Sequence, residues 1–542
     1  MKTLLAGVLF LCMAATGLAG EFSLHVRPCR IPLLAARADN PVLIVRVCAS
    51  DRTERFSLKR IAVRFTGVRG ISDLEGARVY AGVGKETFPV DRPFCGRIAA
   101  GEEMVFNGNM QFVGEAVLWV SVGLKARSDP DNLFLPECLY VETDREKIEP
   151  ERMEAEHWLR PGTVVRHSMQ DGVHTCRIPG LVTTSRGTLL AIYDVRHDSS
   201  RDIQGNIDVG LSRSTDGGRS WEPMRTVLDM GEYGGLPQKF NGVGDACILA
   251  DEKTGKVFVA GVWMHGLLDD RGRWMEGLTE SSAEWRHQWR GRASQSGYSP
   301  RRTCQFMMVE SVDDGLTWSR PRNITRQGKK RRWWLWAPAP GRGIVLGDGT
   351  LVMPVQGRDG QGKSFSTISL SENGGRTWST GNPAFEGTTE CAVVQLENGD
   401  IMLNCRYTAN RNRKSPNGRV VMVTSDRGRT WREHSTSRRV LTEPVCMASL
   451  HRHSWTEDGR ERSILLFANP DSWQGRRNMT VKVSFDDGKT WPRSHWILLD
   501  ELKSRGYSCL TSVDEHTIGI LYESSQAQIT FQRISLDEIL KR

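Results

Sequence analysis

Ser214-Thr215-Asp216-Gly217-Gly218-Arg219-Ser220-Trp221 is the first of five copies of one octapeptide. The pattern is a small hydroxyl residue, any residue, Asp or Asn, any residue, Gly, any residue, Ser or Thr, and Trp. It returns at 311–318, 371–378, 424–431 and 484–491. Recurrence of this kind marks a repeat architecture. Each part has a use in a tight turn. The Asp or Asn side chain accepts hydrogen bonds from backbone N–H groups ahead of it. The glycine tolerates positive φ. The Trp ring packs beside the turn, with its N–H free to find an acceptor.

Apolar strand signals stand between the copies, at 188–195, 256–263, 350–356, 400–407, 463–468 and 517–522. The first five each precede a copy, and the sixth follows the last. Six strand units with five turns predict six blades, the last closed by an earlier segment of chain. Four-stranded blades around a channel form a β-propeller, and closing the ring protects the strand edges. Residues 21 to 150 carry no copy but alternate over 42–47, 60–65 and 116–122, which reads as a sandwich. The charge-rich stretch 142–156 reads as a linker or short helix. The expected fold class is therefore all-β. A six-bladed β-propeller over 151–542 follows an N-terminal β-sandwich over 21–150, itself a candidate carbohydrate-binding domain.

Composition fits this reading. An apolar fraction of 39% and a charged fraction of 25% suit a globular chain and exclude disorder. The net charge of +9 is modest for 542 residues, and no basic stripe on a recognisable module points to nucleic acid. The run Lys329-Lys330-Arg331-Arg332 reads as a solvated loop. Residues 1–20 read as a secretory signal: Lys2, an apolar stretch from Leu4 to Ala15, then Gly17, Ala19 and Gly20, with cleavage after Ala19 or Gly20. That stretch is too short to stay in a bilayer, and no membrane span is expected elsewhere. The mature chain is expected to be periplasmic or extracellular. His451 and His453 lack a third ligand nearby and read as strand histidines, so no metal or other cofactor is called for.

Arg177-Ile178-Pro179-Gly180 followed by five such turns, known as Asp boxes, resembles the bacterial exo-α-sialidase (neuraminidase) family over roughly residues 160–540. The resemblance implies a six-bladed propeller, in agreement with the blade count. It implies a retaining glycoside hydrolase acting on terminal sialic acids of glycoproteins, gangliosides and other glycolipids, and oligosaccharides. Three arginines would bind the substrate carboxylate: Arg177, Arg406 and Arg476, with adjacent Arg477 as the alternative to the last. Bidentate, charge-assisted bonds from guanidinium forks suit that task. Tyr507 matches the nucleophile, since sialidases are the tyrosine exception among glycosidases. A neutral phenol avoids repulsion at an anomeric carbon that bears a carboxylate, but with a pKa near 10 it needs a base. Glu390 matches that base, and Asp202 the acid/base, with Asp198 as competitor. Arg196 and Asp245 match sugar-binding residues, and Glu523 the glutamate that fixes Arg177.

Spacing supports this set. Glu390 and Arg406 are 16 residues apart, as are Tyr507 and Glu523, while Arg177 and Arg196 are separated by 19. Each pair brackets a strand, a turn and a second strand. All six then project from one end of the ring, and the octapeptide turns lie at the other. The turn 397–400 should carry a bulge with Gly399 at positive φ, which keeps Glu390 and Arg406 on one face. The insertion 266–300, with Trp274, Trp285 and Trp289, is either a pocket rim or a structural excursion. Two rival readings stand beside the hydrolase: a trans-sialidase, and a non-catalytic glycan-binding propeller. A binding protein would need the arginines but has no use for a positioned Tyr–Glu pair.

Overall fold

The computed structural model describes residues 21–82, 88–150, 157–203, 205–264, 267–268, 275, 277–282, 286–287, 294–411 and 416–541. The signal reading of 1–20 lies outside them, as do Trp274, Trp285 and Trp289. The chain forms two units. One comprises the residues up to 29, 37–125 and 134–158; the other comprises 30–36, 126–133 and 159–542. The chain thus passes between units several times before it stays in the second.

The first unit has two antiparallel layers. Leu74–Gly82, Glu115–Leu124, Arg37–Ala49 and Phe22–Pro28 make one; Glu103–Val113, Arg55–Gly67, Phe134–Thr143 and Lys147–Ile148 make the other. A single pair, Val113 with Glu115, joins them. Phe22 of one layer meets Phe56 of the other edge-on, with ring centroids 5.0 Å apart. Glu142, read from sequence as linker or helix, instead sits in a strand opposite Arg60, and Lys147–Ile148 adds an edge strand. Strand pairing there leaves no room for a helix; residues 151–156 are outside the described set.

The second unit is a ring of six sheets. Their main strands, from the inside outward, are Thr175–Thr183, Leu189–Arg196, Ile207–Ser214 and Arg225–Leu228 in sheet one. Sheet two has Val243–Asp251, Lys256–Trp263, Gln305–Ser311 and Arg322–Asn323. Sheet three has Leu335–Pro338, Leu351–Arg358, Ser364–Ser371 and Ser379–Thr380. Sheet four has Thr388–Gln395, Ile401–Tyr407, Val420–Thr424 and Arg432–Glu433. Sheet five has Ser449–Glu457, Arg460–Pro470, Met479–Ser484 and Ile497–Asp500. Sheet six has Ser508–Asp514, Thr517–Tyr522 and Ile529–Ser535, and Pro161–Arg166 pairs antiparallel with its third strand. Each sheet packs on the next, and the inner strand of the sixth meets that of the first. Both faces of a sheet are therefore covered. Leu189–Arg196 and Ile207–Ser214 are buried at every position, which explains why the signal at 188–195 reads as a largely apolar run rather than an alternation.

The octapeptides link third to fourth strands. In sheet five the Ser484 hydroxyl accepts the Gly488 N–H at 2.8 Å and donates to Asp486 at 2.8 Å. Asp486 in turn accepts the N–H and hydroxyl of Thr490 at 2.8 and 2.7 Å. The five turn glycines have φ between 78° and 84°. A Cβ on Gly218 would also lie 2.0 Å from the Phe531 ring. Trp318, Trp378 and Trp491 each donate to the carbonyl of their own turn glycine, whereas Trp431 reaches Asn382 in the adjacent sheet. In sheet one Leu189 pairs with Ser214 and Arg196 with Ile207, so the turn leaves from the end opposite Arg196.

The basic run departs from its sequence reading. Arg331 and Arg332 are exposed, but Lys329 is buried and donates to the carbonyls of Gly297 and Trp333 at 2.7 and 2.5 Å. Burial lowers its ammonium pKa to about 8. His451 lies between Arg342 and Ser512, and His453 between Ser512 and the Glu515 carbonyl.

Candidate active site

Three inner strands slip register at one end of the ring. The shifts fall between Arg177 and Gly180, between Gly244 and Cys247, and between Thr388 and Cys391. Bulges of this kind re-aim side chains next to active sites. Two residues there occupy the left-handed region, Ile178 at φ 61° and Asp245 at φ 50°. Such strain persists only where the surroundings enforce it. In both cases a buried carboxylate takes the N–H: Glu523 from Ile178 at 3.1 Å, and Asp194 from Asp245 at 3.0 Å. The turn 397–399 has Gly399 at φ 87°, and Leu396 pairs with Asp400. This three-residue loop brings Glu390 and Arg406 to the same side.

Tyr507 precedes the inner strand of sheet six and lies at the centre of the group. Its hydroxyl donates to Glu390 Oε1 at 2.5 Å. Arg406 Nη1 binds Glu390 Oε2 at 2.5 Å and the Tyr507 oxygen at 3.1 Å. The Arg177 and Arg476 guanidinium carbons lie 5.3 and 5.5 Å from the Tyr507 ring centre. Three arginines from sheets one, four and five thus surround one phenol. Arg477 is exposed, and Arg476 is the member of that pair that turns inward, its Nη1 fixed to the Arg505 carbonyl at 2.8 Å. Burial raises the Tyr507 pKa well above the ordinary phenol value, and Glu390 pushes it further while Arg406 and Arg476 pull it down. The proton therefore rests on Tyr507, with a carboxylate placed to receive it.

Glu523 locks the first and last sheets together. It accepts Arg177 Nε and Nη2 at 2.9 and 3.2 Å, and the Tyr507 N–H at 2.9 Å. Burial opposes its ionisation, but Arg177 together with the Tyr507 and Ile178 N–H groups outweighs burial and leaves its pKa below the usual value. The buried Arg406 Nε has no partner among the described residues.

Asp202 stands on the loop after Leu189–Arg196. Its Oδ1 lies 2.6 Å from Arg196 Nη1 and 3.6 Å from Arg177 Nη1, and its side chain is 56% exposed. Of the two aspartates on this loop, Asp202 is the one brought to the arginines. Arg196 pairs across the strands with Thr175, and Arg177 with Asp194, so the 19-residue spacing does not place the two arginines opposite each other. Asp245 lies beside this cluster, its carboxylate accepting Gln356 Nε2 at 3.1 Å. Burial and the nearby Glu390, Asp194 and Asp202 hold its pKa well above the usual carboxylate range.

Asp194 and Gln356 were not singled out from sequence. Asp194-Val195-Arg196 did carry a signal: two charges at period two in an otherwise apolar strand share one face. Gln356 offered none. Among the described residues no group of three His, Cys, Asp or Glu forms a metal cluster.

Residues 278–520 match the family model of a BNR repeat-like domain. A sialidase of Bacteroides fragilis is 38% identical over 98% of both chains. A sialidase of Micromonospora viridifaciens is 30% identical over 65% of this chain and 50% of its own. Among solved structures, a Hadza microbial sialidase superposes with a TM-score of 0.83 at 36% identity, covering 94% of this chain and 99% of that one. With that identity along nearly its whole length, the chain belongs to the sialidase family.

Proposed function

We propose that this protein is a retaining exo-α-sialidase that hydrolyses terminal sialic acids of glycoproteins, glycolipids and oligosaccharides, with Tyr507 as nucleophile, Glu390 as its base and Asp202 as acid/base. The observation that carries the reading is the 2.5 Å bond from the Tyr507 hydroxyl to Glu390, ringed by Arg177, Arg406 and Arg476. The three guanidinium groups bind the sugar carboxylate and set the anomeric carbon over the phenol. Tyr507 Oη forms a bond to that carbon while its proton passes to Glu390. The glycosidic C–O bond breaks, and Asp202 protonates the departing oxygen. Water then attacks the tyrosyl-linked sugar, giving its proton to Asp202, and the phenol recovers its own from Glu390. Two displacements at one carbon retain configuration. Arg196 and Asp245 would bind the sugar beside the acid/base, and Glu523 keeps Arg177 aimed.

Residues 1–20 support export, which would bring the enzyme to periplasmic or extracellular glycans. The test is proton NMR of the protein with a 3′-sialyl oligosaccharide. Free sialic acid released first as the α-anomer is expected. Initial release of the β-anomer, transfer of the sialyl group to a sugar acceptor, or binding with no turnover would overturn the reading.

A further inference from the structure

Asp194 belongs to none of the roles above, yet it touches both sides of the acid–base corner. Its side chain is fully buried in the strand Leu189–Arg196. Oδ2 accepts Arg196 Nη2 at 2.8 Å and Nε at 3.3 Å. Oδ1 accepts the backbone N–H of Asp245 at 3.0 Å, from the next sheet. The remaining Arg196 nitrogen, Nη1, faces the loop, meeting the Ser200 carbonyl at 3.0 Å and Asp202 at 2.6 Å. Every nitrogen of Arg196 is thereby assigned, two atoms to Asp194 and one to the loop that carries Asp202.

The neighbouring strand is shaped to admit this carboxylate. A Cβ on Gly244 would lie 2.8 Å from Asp194 Oδ1 and 2.9 Å from both Cγ and Oδ2. Contacts that short force a shift, so glycine is what lets the Val243–Asp251 strand close over Asp194. The strained Asp245 conformation follows directly, since its N–H is the one Asp194 holds.

We propose that Asp194 is a positioning residue for acid catalysis, acting through Arg196 on Asp202 and through the backbone on Asp245; the inference rests on the sialidase reading above. Asp194 neutralises Arg196 from behind. Without it, the guanidinium charge would fall on Asp202 alone, and a nearby cation favours the ionised carboxylate. Asp202 would then be a weaker proton donor to the leaving oxygen.

That consequence separates positioning from mere structural support. General acid catalysis matters most when the leaving group is a poor one, and is worth roughly 100-fold or more. In Asp194→Asn, kcat/KM for a sialyl oligosaccharide, whose leaving group is a sugar alcohol, should fall about 100-fold. The loss for an aryl sialoside with an acidic phenol leaving group should be about ten times smaller. Gly244→Ala displaces the same carboxylate without altering it and should show the same inequality. Should Asp194→Asn fail to fold, Gly244→Ala carries the comparison. Equal losses on both substrates, or no loss on either, would overturn the role of Asp194. A wild-type protein that releases sialic acid from neither substrate would instead sink the sialidase reading itself.

Discussion

At the turn end of sheet five, Ser484, Asp486, Gly488 and Thr490 satisfy one another within a single octapeptide. At the site end, bonds within a sheet, such as Glu390 with Arg406, are joined by others that cross between sheets. Glu523 of sheet six holds Arg177 and Ile178 of sheet one, Glu390 of sheet four holds Tyr507 ahead of sheet six, and Asp194 of sheet one holds Asp245 of sheet two. Left-handed non-glycine residues occur at both ends, Asp314, Arg427 and Asp487 in the turns and Ile178 and Asp245 at the site, so it is the reach of the bonds that separates the two. One end is thus built locally and repeated; the other is built once, from charges that need the whole ring. The site's preorganisation belongs to the ring rather than to any blade, which is how a catalytic constellation is kept rigid.

This contrast predicts a separation of stability from activity. The largest effect should come from Tyr507→Phe. It removes one hydroxyl and leaves Glu390 bonded to Arg406, so the melting temperature should stay close to wild type. Turnover should fall by roughly three orders of magnitude or more, because the proposed nucleophile is lost. Near-wild-type turnover of a sialoside would remove Tyr507 from the mechanism.

Next in size is Arg406→Ala. Truncating one member of a buried, hydrogen-bonded charge group typically costs about 2–5 kcal/mol of binding. A sialic-acid glycal analogue should therefore bind roughly 30-fold more weakly, or worse. Arg406→Lys should recover little, since an ammonium lacks the bidentate fork. Calorimetry with the acid and its methyl ester sharpens the point: the wild type should prefer the acid strongly, and equal affinities would contradict carboxylate recognition by the arginines.

The smallest effect lies at the other end. Ser484→Ala strips the buried Gly488 N–H of its acceptor and should destabilise the fold by about 1–3 kcal/mol in denaturant melts. At temperatures where the variant is folded, kcat/KM should match wild type. A large kinetic defect would mean that the two ends are not independent after all.

The same contrast explains what could be read from sequence. The octapeptides were legible because each turn is closed by residues a few positions apart, so the physics repeats with the letters. Glu390 with Arg406, and Tyr507 with Glu523, were legible because a two-strand hairpin imposes a fixed spacing on residues at one end. Asp194 showed only its period-two pairing with Arg196; its bond to the Asp245 N–H was hidden because that is a backbone group 51 positions away. Gln356 was hidden because its bond to Asp245 spans 111 positions. Lys329 was misread because a run of charges says nothing about which member turns inward; the carbonyls of Gly297 and Trp333 decide that. The linker reading near 142 failed similarly, since charge suits an edge strand as well as a helix.

The pairing of Pro161–Arg166 with the last sheet has a consequence for the order of events in the cell. Arg160 donates to the Arg533 carbonyl at 2.7 Å across 373 positions of chain. A ribosome adding about 5–20 residues per second needs roughly 20–75 s to make the second after the first. During that interval the early strand waits unpaired, and Arg177 waits for Glu523, 346 positions downstream. Contacts this distant in sequence slow folding. They also tie catalysis to completion: a chain cut short before sheet six holds neither Tyr507 nor the glutamate that aims Arg177. On the proposed mechanism an unfinished copy is therefore silent as an enzyme, and the first moment of activity is the closing of the ring.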